Sequence, residues 1–433
     1  MEPCYARRCL LMVFLGAGSL AGCDARAPGV AAAPRSALLS YTGGEVTGTA
    51  TEPSADMQAM AQRLTGVLAL GYNTVATDVV AKQLMNKDPS VPATSLFVLD
   101  VRDPSDFAAG HVPGAVNVPL ATVPQVLLEQ PTLIPVDKDV IVASYFGSDG
   151  NLASLTVNVA RVADPAAQKA AADAKQPLPY RTSKALYMGM ASWTYDLAIS
   201  PSRFDSDLGV NRVDRPAQTT ANAGVDQGAY PAYAAFGPEV DTLTKKLLVR
   251  AHHYLAAYGP TRGVQTNGVS LASLLEDGLA TNDPQVVDAR TATLYAGGHV
   301  PAASNIAYQS VANLVYTKLV SPTTPVVVYC VTGHTGALAT MALGILGYPV
   351  KNMMYGMNGW NVAVSGSPLS NFDVQKGWDF PLHNWGSGLD TLATYVPPST
   401  GCVGCHTSLT AMAYDTWNNP LPAAAVPLST GEG

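Results

Sequence analysis

The stretch Val326-Val-Val-Tyr-Cys-Val-Thr-Gly-His-Thr-Gly336 decides how we interpret this chain. Its three valines and its tyrosine predict a short buried strand, and a glycine-containing loop ends that strand. Small and apolar residues from Ala337 to Leu346 then predict a helix. Cys330 therefore lies between a strand end and a helix start, where free backbone N–H groups and the helix dipole favour a thiolate.

The segment Cys330–Gly336, which we call the sulfur loop, predicts a nucleophilic site. The thiolate is the reactive form of cysteine, and loop N–H groups could hold a persulfide or an oxyanion bound to it. The alternative is a buried structural cysteine. His334 could supply positive charge or move a proton, or it could point to solvent. The other residues expected to line the site are Val331, Thr332, Gly333, Thr335 and Gly336.

Composition bounds the partners of the chain. Its 433 residues are enough for two or more domains, and 48% of them are hydrophobic. The 25 Lys and Arg against 32 Asp and Glu give a net charge of -7, without a basic run. This balance argues against nucleic acid as a partner. After the N-terminus, the sequence has no apolar run long enough to cross a bilayer.

The N-terminus has the pattern of a targeting segment. Arg7 and Arg8 precede the apolar run Leu10–Leu20, which is too short for a stable membrane span. The sequence Leu20-Ala-Gly-Cys23 then resembles the lipobox of bacterial lipoproteins. That resemblance implies cleavage before Cys23, acylation of this cysteine, and an extracytoplasmic protein anchored to a bacterial membrane at its periplasmic face or outer surface. The alternative is an ordinary signal peptide.

An internal repeat organises the rest of the chain. Blocks with an Asp-x-Arg strand and a Gly-His-Val-Pro turn occur twice, 188 positions apart, and a Gly-x-x-x-Trp segment follows each. Strand, helix and turn signals alternate in both halves, which predicts two copies of an α/β domain. The matching blocks are Leu99-Asp-Val-Arg102 with Val287-Asp-Ala-Arg290, Gly110-His-Val-Pro113 with Gly298-His-Val-Pro301, and Gly189–Trp193 with Gly356–Trp360.

These motifs together resemble the rhodanese family. Their tandem arrangement is similar to sulfurtransferases that act on thiosulfate or 3-mercaptopyruvate, over roughly residues 60–370. The resemblance implies an α/β fold with two rhodanese-like domains, each a small parallel sheet flanked by helices. It also implies that Cys330 carries sulfane sulfur as a persulfide.

The first copy differs from the second at the nucleophile. Ser144 stands where the second copy has Cys330, in the segment Ser144–Gly150 that we call the serine loop. A serine without an adjacent base is a poor nucleophile, so we expect this copy to be catalytically silent. Asp149 would also repel an anionic donor. A serine hydrolase at Ser144 is a remote alternative.

The second copy leaves the sulfur donor open. Its sulfur loop has no Arg or Lys, and Leu294 stands where many tandem rhodaneses have a second arginine. Arg290 could face the sulfur site, or it could brace the loop through hydrogen bonds. His111 and His299 occupy one repeat position, and since one copy lacks the cysteine, a structural role in the turn is favoured for both.

The tail carries a second motif, Cys402-Val-Gly-Cys-His406, which matches the attachment sequence of a c-type haem. In such a site two thioethers join the haem to Cys402 and Cys405, and His406 ligates the iron. We therefore expect one covalent haem c, with His383 or an open position on the other side of the iron. A redox-active disulfide and an incomplete metal site are the alternatives.

The predicted organisation is a signal peptide (residues 1–22), a flexible tether (23–56), a first rhodanese-like domain (57–200), a linker (201–240), a second rhodanese-like domain (241–372) and a haem-binding tail (373–433). The function predicted from these parts is a membrane-anchored sulfurtransferase, or chalcogen-handling protein, that takes a small sulfur or selenium compound on Cys330. The haem would link it to a cytochrome or another redox partner. The alternative is a non-enzymatic docking module that places a haem in an electron-transfer complex.

Overall fold

The computed structural model describes residues 41–84, 95–194, 213–258 and 263–364. The predicted signal peptide with Cys23 lies outside the described residues, and so does the tail with His383, Cys402, Cys405 and His406. Among the helices that are described, none combines the length and apolar character needed to cross a membrane.

Strands and helices alternate along both halves of the described chain. The strands are β1 (Val46–Ala50), β2 (Thr74–Val75), β3 (Leu96–Asp100), β4 (Val116–Asn117), β5 (Asp139–Ala143), β6 (Ser183–Leu186), β7 (Tyr230–Tyr233), β8 (Gln265–Thr266), β9 (Gln285–Asp288), β10 (Ser304–Asn305), β11 (Val326–Tyr329) and β12 (Val350–Met353). The helices are α1 (Ala55–Ala69), α2 (Thr77–Leu84), α3 (Pro104–Ala109), α4 (Val123–Glu129), α5 (Ser148–Arg161), α6 (Pro165–Asp173), α7 (Met190–Trp193), α8 (Leu243–Ala257), α9 (Gly268–Leu275), α10 (Ala292–Ala296), α11 (Leu314–Thr317), α12 (His334–Ile345) and α13 (Met357–Trp360).

The two copies of the repeat form two parallel sheets with the same strand order. The first sheet runs β2-β6-β5-β3-β4, and the second runs β8-β12-β11-β9-β10. The central strand of each sheet, β5 or β11, is fully buried and leads directly into the serine loop or the sulfur loop. The predicted α/β fold, two parallel sheets flanked by helices, is confirmed.

One apolar core joins the two copies. Along β5, Val140 and Val142 belong to this shared core, whereas Ile141 belongs to a smaller cluster on the other side of its sheet. The alternation follows from the period of two along a strand. Helices α5 and α12, which follow the two loops, pack against each other between the sheets. The loops of the two copies are consequently brought together.

Helix α8 completes the core between the copies. Gly344 of α12 allows the ring of Tyr254 to lie against the helix, because a Cβ at this glycine would be 2.5 Å from the ring. Thr242 caps the start of α8, since its side chain accepts the N–H of Lys245. Small residues of α12 thus explain the close packing of α8, which the sequence analysis did not anticipate.

The predicted tether is wrong for its last residues. Strand β1 lies inside the segment 23–56 and pairs in antiparallel fashion with β7, which lies inside the predicted linker. Arg250 of α8 donates a hydrogen bond to the carbonyl of Gly44 at 2.7 Å, which holds the segment before β1 against the second copy. The composition, rich in Gly, Ala and Thr, suggested a flexible chain, but backbone pairing with a distant strand orders it.

Candidate functional site: the sulfur loop

The sulfur loop is a tight turn around the sulfur of Cys330. The backbone N–H of Gly333 donates to the Cys330 Sγ at 3.1 Å. Gly333 has a φ of 88°, a left-handed conformation that favours glycine, and α12 begins directly after it at His334. The predicted start of this helix, Ala337, is therefore three residues late. The sulfur accepts a hydrogen bond at the N-terminal end of a 12-residue helix.

Backbone of the segment after β12 closes the other side of the turn. The Cys330 carbonyl accepts the N–H of Met357 at 2.7 Å. Gly356 has a φ of 51°, and a Cβ there would be 2.2 Å from the Cys330 carbonyl oxygen. This glycine of the Gly-x-x-x-Trp motif is thus required by the close approach of two backbones, which holds Cys330 in place.

Cys330 is a free thiol and the only cysteine in the described part of the chain. It is 2% exposed. The Gly333 N–H and the helix N-terminus both favour negative charge on the sulfur, as a thiolate or as the terminal sulfur of a persulfide. The hydrogen bond and the helix N-terminus fit the predicted nucleophile, and the burial of Cys330 means that the surrounding loops restrict access to the sulfur.

His334 is placed differently from two of the three possibilities considered for it, and the third, proton transfer, stays a prediction. Its side chain is buried, and Nε2 donates to the carbonyl oxygen of Phe146 in the first copy at 2.9 Å, while Nδ1 accepts from Thr332 Oγ1 at 3.1 Å. Burial lowers the pKa of His334 to about 4, although the hydrogen bond to Phe146 opposes the shift. The imidazole is neutral at neutral pH, so the predicted positive charge and the predicted solvent exposure are both wrong.

Arg290 is held by Asp288 at the end of β9 and by the Gly-His-Val-Pro turn. Its guanidinium donates to the Asp288 carboxylate at 2.6 Å and to the Gly298 carbonyl at 2.6 Å. The side chains of Arg290 and Asp288 are fully buried. Burial lowers the Arg290 pKa, but the Asp288 carboxylate more than offsets this, so the pKa is raised. Arg102 of the first copy makes the same contacts with Asp100 and Gly110. Since the copy without a cysteine has the same arrangement, these contacts are structural, and they tie the end of β9 to the Gly-His-Val-Pro turn.

His111 and His299 also have the structural role favoured from the sequence. The Nδ1 atom of each lies at hydrogen-bonding distance from a carbonyl four residues earlier, 2.8 Å for His111 and Phe107 and 2.9 Å for His299 and Tyr295. Each imidazole also stacks on the ring of that same residue, with centroids 3.7 and 3.8 Å apart. These contacts order the Gly-His-Val-Pro turn in both copies.

The first copy supplies parts of the site that sequence reasoning missed. Tyr187 is buried, and burial together with the charge of Cys330 raises its pKa, so its hydroxyl stays protonated beside the sulfur loop. The Tyr187 and His334 rings meet edge to face at 5.1 Å. Asp149 accepts a hydrogen bond from Gln265 of the second copy at 2.8 Å. The sequence signal that could have predicted these contacts was the alignment of the serine loop with the sulfur loop, because a two-fold arrangement of two copies brings aligned loops together.

A metal cluster and a surface cavity are the other kinds of site considered for the second copy. Within the described ranges, no group of three or more His, Cys, Asp or Glu could hold a metal ion. A surface cavity of about 270 Å³ lies between the segment 222–227 and the sheet of the second copy, where Gln285, Ser304 and Ser321 line it. Cys330 does not line this cavity. The cavity is therefore separate from Cys330.

Comparison with a family model agrees with this fold. Residues 77–194 and 271–363 match the family described as Rhodanese-like domain, and together these segments span just under half of the chain. The two matched segments correspond to the two copies of the repeat. No curated protein matches the chain.

Solved structures similar to this chain include a thiosulfate sulfurtransferase from Pseudomonas aeruginosa, at 14% identity over 69% of this chain and 46% of that chain, with a TM-score of 0.24. SseA from Escherichia coli, described among 3-mercaptopyruvate sulfotransferases, is 18% identical over 65% of this chain and 97% of its own, with a TM-score of 0.20. A rhodanese-like domain protein from Staphylococcus aureus is 23% identical over 21% and 87%, with a TM-score of 0.19. The chain spans less than half of the Pseudomonas protein.

Proposed function

We propose that this chain is an extracytoplasmic, lipid-anchored sulfurtransferase whose Cys330 carries sulfane sulfur as a persulfide. The observation that supports this most is the hydrogen bond from the Gly333 N–H to the Cys330 Sγ, 3.1 Å long, at the start of α12. This donor and the helix dipole stabilise a thiolate before the reaction and the terminal sulfur of a persulfide after it.

The transfer has two half-reactions on this sulfur. The Cys330 thiolate attacks the sulfane sulfur of a donor, and the Sγ–S bond forms. The donor's own bond to that sulfur breaks, and its electron pair stays on the rest of the donor molecule. A nucleophilic acceptor then attacks the outer sulfur, and its bond to Sγ breaks to return the thiolate. A selenium donor would follow the same course. Neither step needs a charged His334, which agrees with its lowered pKa.

The first copy would position the sulfur loop without reacting itself. Ser144 has a hydroxyl where the second copy has a thiol, and its Oγ accepts the Gly147 N–H at 2.9 Å. The Phe146 carbonyl holds His334, the first residue of α12. In this proposal the serine loop is a wall of the site, and a hydrolase at Ser144 is not favoured.

The anchor and the haem belong to the same proposal. Acylated Cys23 would attach the chain to a bacterial membrane, and Cys402, Cys405 and His406 would bind one haem c, with His383 as the candidate second axial ligand. Two thiols and an adjacent imidazole have the chemistry that covalent haem attachment requires. The haem, when bound, would supply one-electron redox chemistry toward a partner cytochrome.

The test is sulfur loading of the full-length purified protein, followed by mass spectrometry of the Cys330 peptide. We expect the wild-type protein to gain one sulfur atom on Cys330 and the Cys330→Ser protein to gain none there. Ser144→Ala is the matched control, and it should load like the wild type. Equal sulfur transfer by Cys330→Ser would contradict the proposal and would direct attention to Cys402 and Cys405.

A docking module is the second candidate, and the burial of Cys330 favours it. At 2% exposure, the thiol is closed off by both copies in this conformation. A docking module would bind its redox partner equally well with Cys330→Ser and would show no turnover of sulfur donors. A turnover assay with both proteins therefore separates the two functions.

A further inference from the structure

The hydrogen-bond partners of the sulfur loop are neutral groups. Among the described residues, the hydrogen bonds of residues 330–336 reach backbone groups, the hydroxyl of Thr332, the imidazole of His334 and the amide of Asn358. His334 is neutral, because burial lowers its pKa to about 4. Tyr187, which approaches from the first copy, is protonated. The loop itself contributes no Lys or Arg.

Arg290, the arginine of the Asp-x-Arg motif in the second copy, is already paired with a carboxylate. Arg290 and Asp288 are fully buried and form an ion pair at 2.6 Å, so the pair brings no net charge to the site. Releasing the guanidinium to bind a substrate would leave a buried, unpaired carboxylate, which is strongly unfavourable. An anionic substrate therefore cannot recruit this arginine at low cost.

The edge of the site next to the sulfur loop is apolar where the first copy is acidic. In the first copy, the carboxylate of Asp106 accepts a hydrogen bond from Tyr145, the residue that follows Ser144. The repeat places Leu294 and Val331 at the equivalent positions of the second copy. Leu294 is half-buried and uncharged, whereas Asp106 at the matching position of the first copy is acidic.

From these contacts we infer that Cys330 takes its sulfur from an uncharged sulfane donor, such as a polysulfane or elemental sulfur, and discriminates against anions such as thiosulfate. The inference rests on the proposed function. The Gly333 N–H and the helix N-terminus stabilise the negative charge of the attacking sulfur. A second negative charge would find no Lys or Arg side chain bonded to residues 330–336 within the described ranges, and Asp149 lies buried at the same interface.

The step balances for such a donor. The Cys330 thiolate attacks one sulfur of an S–S bond in the chain or ring. The Sγ–S bond forms, the attacked S–S bond breaks, and the electron pair moves to the displaced sulfur. For ring sulfur, the negative charge ends on the far end of the opened chain, outside the buried turn. The donor thus enters without charge.

Two matched alkylating agents test the charge of the site on the full-length protein. Iodoacetamide is neutral and iodoacetate is anionic, and the rate of Cys330 modification by each is followed by mass spectrometry of its peptide. The preference of a thiol is its rate with iodoacetamide divided by its rate with iodoacetate. We expect this ratio to be about tenfold larger for Cys330 than for a free cysteine derivative, because like charges repel strongly in a buried site. An identical preference in both would overturn the inference.

The variant Leu294→Arg sharpens the test by adding a cation at the apolar edge. We expect it to reduce the preference for iodoacetamide several-fold and to raise loading by thiosulfate. Leu294→Gln is the matched control, which adds a polar side chain without charge and should leave the preference unchanged. If Leu294→Gln changed the preference as much as Leu294→Arg did, charge would not be the cause and the inference would fail.

Loading with the two donors separates this inference from the proposed function. Elemental sulfur in solution should load Cys330 faster than thiosulfate at equal concentration. Faster or equal loading by thiosulfate contradicts the inference but keeps the sulfur carrier. Loading by neither donor contradicts the proposed function, and the inference with it.

Discussion

The serine loop and the sulfur loop have the same backbone but different chemistry. Gly147 and Gly333 both have a φ of 88°. Their N–H groups donate to the Ser144 Oγ at 2.9 Å and to the Cys330 Sγ at 3.1 Å. The tight turn is therefore a property of the domain, because it forms with a hydroxyl as well as with a thiol. What distinguishes the second copy is the atom at the centre of the turn.

The surroundings of the two loops differ as well. Helix α12 begins at His334 of the sulfur loop, whereas α5 begins at Ser148 of the serine loop. Tyr329, which precedes Cys330, donates to Asp288 at 2.7 Å, whereas Ala143 precedes Ser144. The second copy thus has a histidine and a tyrosine where the first copy has a serine and an alanine. Three predictions test how far the likeness and these differences extend.

The largest expected effect tests the likeness. Gly356→Ala places a Cβ 2.2 Å from the carbonyl oxygen of Cys330, and Gly189→Ala places one 2.2 Å from that of Ser144. The φ values of these glycines are 51° and 55°. We expect each to lower the free energy of unfolding by more than about 3 kcal/mol, measured by urea denaturation, because both the backbone conformation and the space exclude a side chain.

Gly114→Ala is the control for these two variants. Its φ is 77°, no atom lies within 4 Å of the added Cβ, and Ala302 already occupies the matching position of the second copy at a φ of 60°. We expect a loss of only about 1 kcal/mol from the left-handed backbone. Losses of equal size in Gly356→Ala and Gly114→Ala would show that the close approach at Gly356 does not constrain the loop.

The second prediction uses the titration of His334, which has no counterpart at Ser148. Burial lowers the His334 pKa from 6.5 to about 4, so the unfolded chain binds the proton more readily. Stability from this group is fully present above pH 6.5 and is lost as the pH falls toward 4, by about 3 kcal/mol.

Unfolding free energies at pH 7 and pH 4 measure this contribution. In His334→Gln the amide can still donate to the Phe146 carbonyl but does not titrate, so the loss of stability between the two pH values should be about 3 kcal/mol smaller than in the wild type. Carboxylates titrate in both proteins, and their contribution cancels in the comparison. Superimposable pH profiles would mean that His334 is not buried against the first copy.

The smallest effect concerns Tyr329. Its hydroxyl donates to Asp288 and accepts the Val300 N–H at 3.0 Å, and both contacts are buried. We expect Tyr329→Phe to lower the free energy of unfolding by about 2 kcal/mol, since it leaves a buried N–H without its acceptor. Tyr316→Phe, at a residue 39% exposed, should change it by less than about 0.5 kcal/mol. Equal effects of the two variants would contradict a special role for Tyr329.

The sequence by itself determined the fold and the position of Cys330 at the end of a buried strand. Apolar runs such as Val326–Tyr329, the repeated Asp-x-Arg and Gly-His-Val-Pro motifs, and the glycine after the cysteine all act on the backbone within a few residues. The repeated Asp-x-Arg motif also forms the same buried ion pair in both copies, Asp100 with Arg102 and Asp288 with Arg290. Local patterns were sufficient for these features.

Only the tertiary structure decided what surrounds the sulfur. The partner of His334, the carbonyl of Phe146, is 188 residues away, and β1 pairs with a strand about as distant. The neutral state of His334 depends on burial between two domains, and the order of β1 depends on backbone hydrogen bonds to β7. Such contacts depend on how complete domains pack, and no short-range pattern in the chain encodes that packing.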